Sequence, residues 1–300
     1  MSKSQQPVSA SQNFVTGSPM KKETEITSIR NTKIYEDSGA FFFVDNVEEK
    51  LPPGTYSIQR RNGTVCFVPE NVQTDEIIVL EHSLQSTILA DIKKFWTKGE
   101  IYKKFDILHK RGYLVHGPQG SGKTGVIYQL CDAIKEVGGF SVMVDTPDVD
   151  GPAIRRLREV EPDRPILGII EEIDMQINEY DEAEWASLLD GEYSVNNIIW
   201  VATTNNIEKL HPRFRNRPSR FDMVVEVGMP TKNDRARYVA HKFSSVSAEL
   251  LNKIAVDTEG FSLAHLKELL VATECLEVPY ADALTRLKLM IETETKEANH

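Results

Sequence analysis

The residues Gly117-Pro118-Gln119-Gly120-Ser121-Gly122-Lys123-Thr124, followed by Gly125, have the types and spacing that hold phosphate. Glycines let backbone N–H groups converge on phosphate oxygens, and the positive end of a following helix favours negative charge. Lys123 would reach the β- and γ-phosphates, and the Thr124 hydroxyl would hold Mg²⁺. The flanks suit that task. Tyr113-Leu114-Val115-His116 reads as a buried strand, and from Val126 to Ile134 apolar residues recur at helical spacing. The chemistry this predicts is binding of a nucleoside triphosphate.

Two further groups could act on that phosphate. Ile169-Ile170-Glu171-Glu172-Ile173-Asp174 is an apolar strand running into carboxylates. One carboxylate near Mg²⁺ orders the metal, and a second aimed at the γ-phosphate orients or deprotonates the attacking water. A later strand ends Ala202-Thr203-Thr204-Asn205-Asn206, where an amide can hydrogen-bond both γ-phosphate and water. Arg213, Arg215, Arg217 and Arg220 crowd one loop before Phe221-Asp222. Guanidinium groups there can neutralise charge developing on a γ-phosphate, in cis or from a neighbouring subunit. His109, His116, His211, His241 and His265 form no metal spacing.

Several elements must position these groups. Residues 1–30, rich in Ser, Gln, Thr and Pro, read as a disordered arm. Residues 31–82 read as a small β-rich domain, with strands at Ala40–Val44, Thr55–Ile58, Thr64–Val68 and Glu76–Leu80 and an Asn62-Gly63 hairpin signal. Ser83 would cap a helix reaching Trp96. Residues 83–230 then alternate strands with helices, predicting a parallel sheet covered on both faces. Residues 231–300 read as a helical subdomain, with Pro279 opening its last helix. The fold class expected is α/β: a parallel sheet around the phosphate loop with a C-terminal helical lid, preceded by the small β-rich domain.

Composition excludes other classes. Hydrophobic residues at 40% and charged residues at 27% are those of a globular chain. A net charge of −10 disfavours a surface built to grip nucleic acid. Cys66, Cys131 and Cys275 are widely separated and suit a reducing compartment. No stretch approaches the ~20 apolar residues of a membrane span, so the expected location is cytoplasmic, without membrane contact.

Taken together, these residues resemble the AAA+ ATPases of the AAA clade, and the resemblance covers roughly residues 84–291. It implies a P-loop NTPase core in which Gly117–Thr124 is the Walker A loop. Glu171 would then bind Mg²⁺ and Glu172 activate water as the Walker B pair. Asn205 would be the sensor-1 residue. Arg217-Pro218-Ser219-Arg220-Phe221-Asp222 is similar to the clade's arginine signature, which implies Arg217 and Arg220 as fingers on an adjoining subunit's nucleotide. Gly260-Phe261-Ser262-Leu263-Ala264 is similar to the segment where the lid returns to the nucleotide. Within the clade, Arg111–Gly117 and Leu188-Leu189-Asp190-Gly191 resemble the branch containing the mitochondrial translocase of the Rieske iron–sulfur protein and its soluble relatives.

The chain departs from the family in three places. Walker B has Glu171 where Asp is usual, which points to slower hydrolysis. The loop before Arg217 is one residue longer than usual. Thr146-Pro147-Asp148-Val149-Asp150-Gly151, read as an acidic loop after the second core strand, lacks the aromatic of peptide-threading relatives. The expectation is an ATP- and Mg²⁺-dependent hydrolase forming a hexameric or heptameric homo-oligomeric ring that remodels or translocates a protein partner. A nucleic-acid motor or loader and an ATP-gated scaffold with little turnover are the alternatives.

Overall fold

The computed structural model of the chain describes residues 33–37, 40–44, 50–61, 63–71, 84–243 and 246–297. The arm expected at 1–30, the strand expected at Glu76–Leu80, and Ser83 lie outside them. Strands β1 (Lys33–Asp37) and β2 (Ala40–Val44) pair antiparallel, with Lys33 opposite Val44 and Asp37 opposite Ala40. They belong to a first unit that ends at Leu51, and a second unit begins at Pro52.

The second unit is built on a seven-stranded sheet of order β4-β3-β6-β7-β8-β5-β9. Its strands are β3 (Thr55–Arg61), β4 (Thr64–Pro69), β5 (Lys110–His116), β6 (Phe140–Met143), β7 (Ile166–Ile170), β8 (Ile198–Thr204) and β9 (Met223–Glu226). All neighbours pair parallel except β3 and β4. Every residue of β7 and β8 is buried. That is the signature of central parallel strands covered on both faces.

Strands β3 and β4 stand differently from the expectation of a separate domain at 31–82. They pair as the expected hairpin: Arg61 faces Thr64, and Gly63 stands at φ 80°. Yet β3 lies parallel to β6, so the hairpin is the edge of the same sheet that carries the phosphate loop. The cause is local chemistry at the start of β3. Thr55 and Tyr56 are buried; Thr55 Oγ1 is 2.8 Å from Ser141 Oγ, and the Tyr56 ring meets Phe140 edge-on. Without β3, the backbone of β6 would present an unpaired edge.

Helix α1 (Leu84–Trp96) and, after the short α2 (Gly99–Lys104), α3 (Lys123–Glu136) cover one face. Ile88, Ile92 and Phe95 of α1 join Val126, Ile127 and Leu130 of α3 in one core with Tyr113, Ile169 and Val201. The other helices of the core are α4 (Pro147–Val160), α5 (Ile173–Glu179), α6 (Glu182–Asp190) and α7 (Pro212–Arg215). The C-terminal region is helical, as expected: α8 (Lys232–Lys242), α9 (Ala248–Asp257), α10 (Leu263–Leu270), a π-helical turn at Val271–Cys275, and α11 (Tyr280–Glu297). It has an apolar core of its own around Tyr238, Val239, Ile254, Phe261, Leu266 and Leu269. Ser262 opens α10 with a reciprocal capping box to His265.

The segment Thr146–Gly151, expected as an acidic loop, is instead the first turn of α4. Pro147 stands at the helix start, where its missing N–H costs nothing, and Asp148 and Asp150 complement the positive helix end. The Asp150 carboxylate accepts from the backbone N–H groups of Asp145 and Thr146, both at 2.9 Å. Only Asp145 and Thr146 separate Val144 from α4.

Asp150 also ties stability to pH. Burial pushes its carboxyl from the usual 3.8 up to about 6, against the two backbone donors. Between those values the native chain keeps a proton that the unfolded chain has released, so this contribution falls as pH rises through the window. Urea unfolding of wild type and Asp150→Asn checks it. The wild-type advantage is expected to shrink by at most about 3 kcal/mol between pH 4 and pH 7. A difference independent of pH would refute the assignment.

Candidate nucleotide site

The phosphate loop follows β5, the paired acids follow β7 and Asn205 follows β8, so one edge of the sheet collects all three. That edge, at the carboxyl ends of parallel strands, is where open α/β sheets bind ligands. A cleft of about 770 Å³ lies there between sheet and lid. Gln119, Gly120, Gly122, Lys123, Thr124 and Gly125 form its floor. Asp145, Glu171, Glu172, Thr203 and Asn205 line one side, and Tyr238, Leu263, Ala264, Lys267, Glu268 and Val271 of the lid another.

The loop has the shape of a phosphate cradle. Gly120 sits at φ 72°, and a Cβ there would lie 2.7 Å from Ser262 Oγ. Only glycine permits that backbone with the lid so close. The lid is joined there: the Leu263 N–H donates to the Gly120 carbonyl at 3.1 Å. This places Gly260–Ala264 against the loop, as the sequence suggested. Lys123 is buried, and its ammonium donates to the carbonyls of Gly117 (2.8 Å) and Pro118 (2.9 Å). Burial pushes its pKa down, while Glu172 and Asp174 pull it up. Ser121 Oγ is buried without a hydrogen-bond partner among the described residues. Gly117 and Ser121 are buried and Pro118 is exposed, and none of the three is among the residues lining the cleft.

The carboxylates divide by environment. Glu171 is half-buried, and burial, then the charges of Glu172 and Asp145, raises its pKa. Glu172 is exposed and starts α5 from the left-handed region, φ 49°. A non-glycine residue held there is strained, a state found where surrounding structure over-determines a functional side chain. The surroundings are visible. The Glu172 N–H donates to Thr203 Oγ1 at 3.1 Å, and Asn205 Nδ2 donates to Glu172 Oε1 at 2.8 Å. One turn later, Thr204 Oγ1 donates to the buried Asp174 at 2.6 Å.

Thr203, Thr204, Asp174 and Asp145 were missed by sequence reasoning as parts of this site. The first three lie inside segments it singled out, and their hydroxyl and carboxylate types were the available signal. Asp145 stands at the end of β6 and had none.

The donor set fits a magnesium–nucleoside triphosphate. Thr124 offers a hydroxyl and Glu171 a carboxylate, and Mg²⁺ takes few protein oxygens when phosphates and waters supply the rest. A buried lysine and a glycine cradle suit the phosphates.

Arg213, Arg215, Arg217 and Arg220 do not line the cleft. Arg215 donates to the Ile207 carbonyl at 2.8 Å and pairs with Glu208. Asp190, at the end of α6, holds Arg217 Nε at 3.0 Å and Arg220 Nε at 3.3 Å, and accepts from Ser219 Oγ at 2.8 Å. The Arg217 side chain is 57% exposed, whereas that of Arg220 is 9% exposed, with its guanidinium over the Phe214 ring. The loop is pinned to β5: Gly112 N–H donates to Asp222 Oδ2 at 2.8 Å, and a Cβ at Gly112 would lie 1.8 Å from the Arg220 carbonyl oxygen.

Residues 113–229 match the family described as "ATPase family associated with various cellular activities (AAA)". Over 193 residues the chain is 28% identical to "Probable mitochondrial chaperone BCS1-A" of Dictyostelium discoideum, covering 59% of this chain and 45% of that protein. It is 28% identical over 219 residues to "Cell division cycle protein 48 homolog" of Archaeoglobus fulgidus, covering 66% and 28%. An AAA-ATPase of Arabidopsis thaliana is 25% identical over 261 residues, covering 77% and 50%. The chain thus spans half or less of the length of these relatives. None of the described helices is long and apolar enough to cross a membrane.

Proposed function

We propose, from the premise that this chain carries an AAA ATPase domain at residues 113–229, that it hydrolyses ATP in the cleft between sheet and lid. The observation that carries the reading is the placement of Lys123, Glu171, Glu172 and Asn205 around one cleft, with Asn205 holding the Glu172 carboxylate at 2.8 Å. Lys123 leaves the loop carbonyls for the β- and γ-phosphates of ATP. The Thr124 hydroxyl and Glu171 carboxylate would hold Mg²⁺, which would neutralise phosphate charge there. Glu172 accepts the proton of the attacking water, and Asn205 keeps that carboxylate aimed.

The arginine loop stands away from the cleft of its own subunit, which supports a site completed by a neighbour's guanidinium. That supports a homo-oligomeric ring, with Arg217 reaching the adjoining nucleotide. Because the lid is bonded to Gly120, changes in the phosphates act on its angle. The work done is remodelling or translocation of a protein partner. This reading draws on the chaperone named among the relatives and on the net charge of −10. The cytoplasmic location inferred from the cysteines belongs to the same reading.

Turnover measured against protein concentration tests it. Magnesium-dependent ATP hydrolysis per subunit is expected to rise cooperatively as subunits assemble. Nucleotide binding with no turnover at any concentration would instead establish the ATP-gated scaffold, a reading favoured by Glu171 standing half-buried where the family has Asp. Steeply salt-dependent DNA binding would favour the nucleic-acid motor.

A further inference from the structure

We propose that Lys110 is a positioning residue for Arg217, holding through Ser219 the loop that presents this guanidinium to the adjoining subunit. The inference rests on the reading above that Arg217 completes a neighbour's site. Lys110 opens β5, at the end opposite the phosphate loop. Its ammonium donates to the Leu189 carbonyl at 2.6 Å, to Ser194 Oγ at 3.1 Å and to the Ser219 carbonyl at 3.1 Å. A lysine ammonium has three donors, and these three neutral oxygens take them.

The three oxygens come from separate parts of the chain. Leu189 lies in the last turn of α6, where helix carbonyls lack partners within the helix and the negative helix end favours a cation. Ser194 belongs to the stretch leading from α6 to β8. Ser219 stands between Arg217 and Arg220. Burial pushes the Lys110 pKa down, while Asp190 and Asp222 pull it up. One partly desolvated cation thus ties the start of β5 to α6 and to the arginine loop.

Ser219 carries the effect to the guanidinium. While Lys110 holds its carbonyl, its hydroxyl accepts from Arg217 Nε at 3.0 Å and donates to Asp190 Oδ2 at 2.8 Å. The turn's own backbone bonds, from Arg220 and Phe221 N–H to the Arg217 carbonyl, set its shape. Asp222 N–H, bonded to the Gly112 carbonyl at 2.8 Å, anchors the end of the loop beyond the arginines. Lys110 anchors it between them. For an arginine whose side chain is 57% exposed, such contacts decide where the guanidinium points.

Lys110→Met keeps the apolar stem and removes the donors. Turnover is expected to fall about ten- to a hundredfold, the cost of misplacing a reacting group by about 1 Å. Affinity for a non-hydrolysable ATP analogue should stay within about twofold, since the subunit's own cleft is untouched. In an Arg217→Ala background, Lys110→Met should cost no further turnover, because the group it positions is gone. A purely structural role would lower both backgrounds alike. Ser219→Ala, an exposed change, should lose turnover in the same pattern with the melting temperature of wild type, and it carries the test if Lys110→Met does not fold. Lys110→Met turnover within about twofold of wild type, or an equal loss in both backgrounds, overturns the proposal and leaves Arg217 its role. If Arg217→Ala turns over as fast as wild type, the reading beneath it fails first.

Discussion

Replacing Glu172 with Gln is expected to cut ATP turnover by about two to four orders of magnitude, the usual worth of a positioned general base. Affinity for ATP and assembly should stay as in wild type. The amide keeps the shape of the carboxylate and an oxygen for Asn205 Nδ2, now 2.8 Å from Glu172 Oε1, but cannot take a proton. Glu172 is exposed, so the change leaves no buried group unpaired. Steady-state hydrolysis and nucleotide binding, measured on the same preparation, check the two halves separately. Turnover within about threefold of wild type would remove Glu172 from the chemistry and point to a different base.

The arginines are expected to part company. Arg217→Ala should lower turnover by about three orders of magnitude or more, the scale of a lost arginine finger, with little change in melting temperature. Its side chain is 57% exposed, and Ser219 and Arg220 still reach Asp190 without it. Arg220→Ala should instead destabilise the fold by about 1.5–3 kcal/mol, because a buried charged hydrogen bond to Asp190 is lost while Arg217 and Ser219 still reach that carboxylate. Its guanidinium also covers the Phe214 ring, 4.8 Å from the centroid.

Mixing tests the trans arrangement directly. Glu172→Gln subunits retain Arg217 but have a dead site; Arg217→Ala subunits have a sound site but no finger. Mixed assemblies should recover a measurable share of wild-type turnover. Mixed rings that stay inactive would mean that Arg217 serves its own subunit or none.

Much of the site was legible because its signals are local. The phosphate loop needs one glycine-rich turn between a strand and a helix, and eight consecutive residues carry it. The acids and Asn205 each sit one step past an apolar run, so strand period and residue type locate them together. The resemblance to the AAA clade rested on the order of such segments, and the sheet order and parallel pairing agree with it.

Other features depended on partners far along the chain. Thr55 and Ser141 are 86 residues apart, and nothing in either neighbourhood announces that β3 will zip onto β6. Period-2 patterning marks a strand but not its neighbour, so the hairpin read as a domain of its own. Helix α4, by contrast, opens on local signals that read as a loop: Pro147 at the helix start and Asp150 accepting from the nearby Asp145 and Thr146 N–H groups. Arg217 and Arg220 lie three residues apart in one motif and differ only in burial, which Asp190 and Phe214 decide from other elements. By itself the sequence determined the phosphate loop and the acidic and amide residues that follow its strands, because those signals are written in short spacings. The tertiary structure decided which strand closes the sheet and which arginine faces outward, because those follow from burial and long-range pairing.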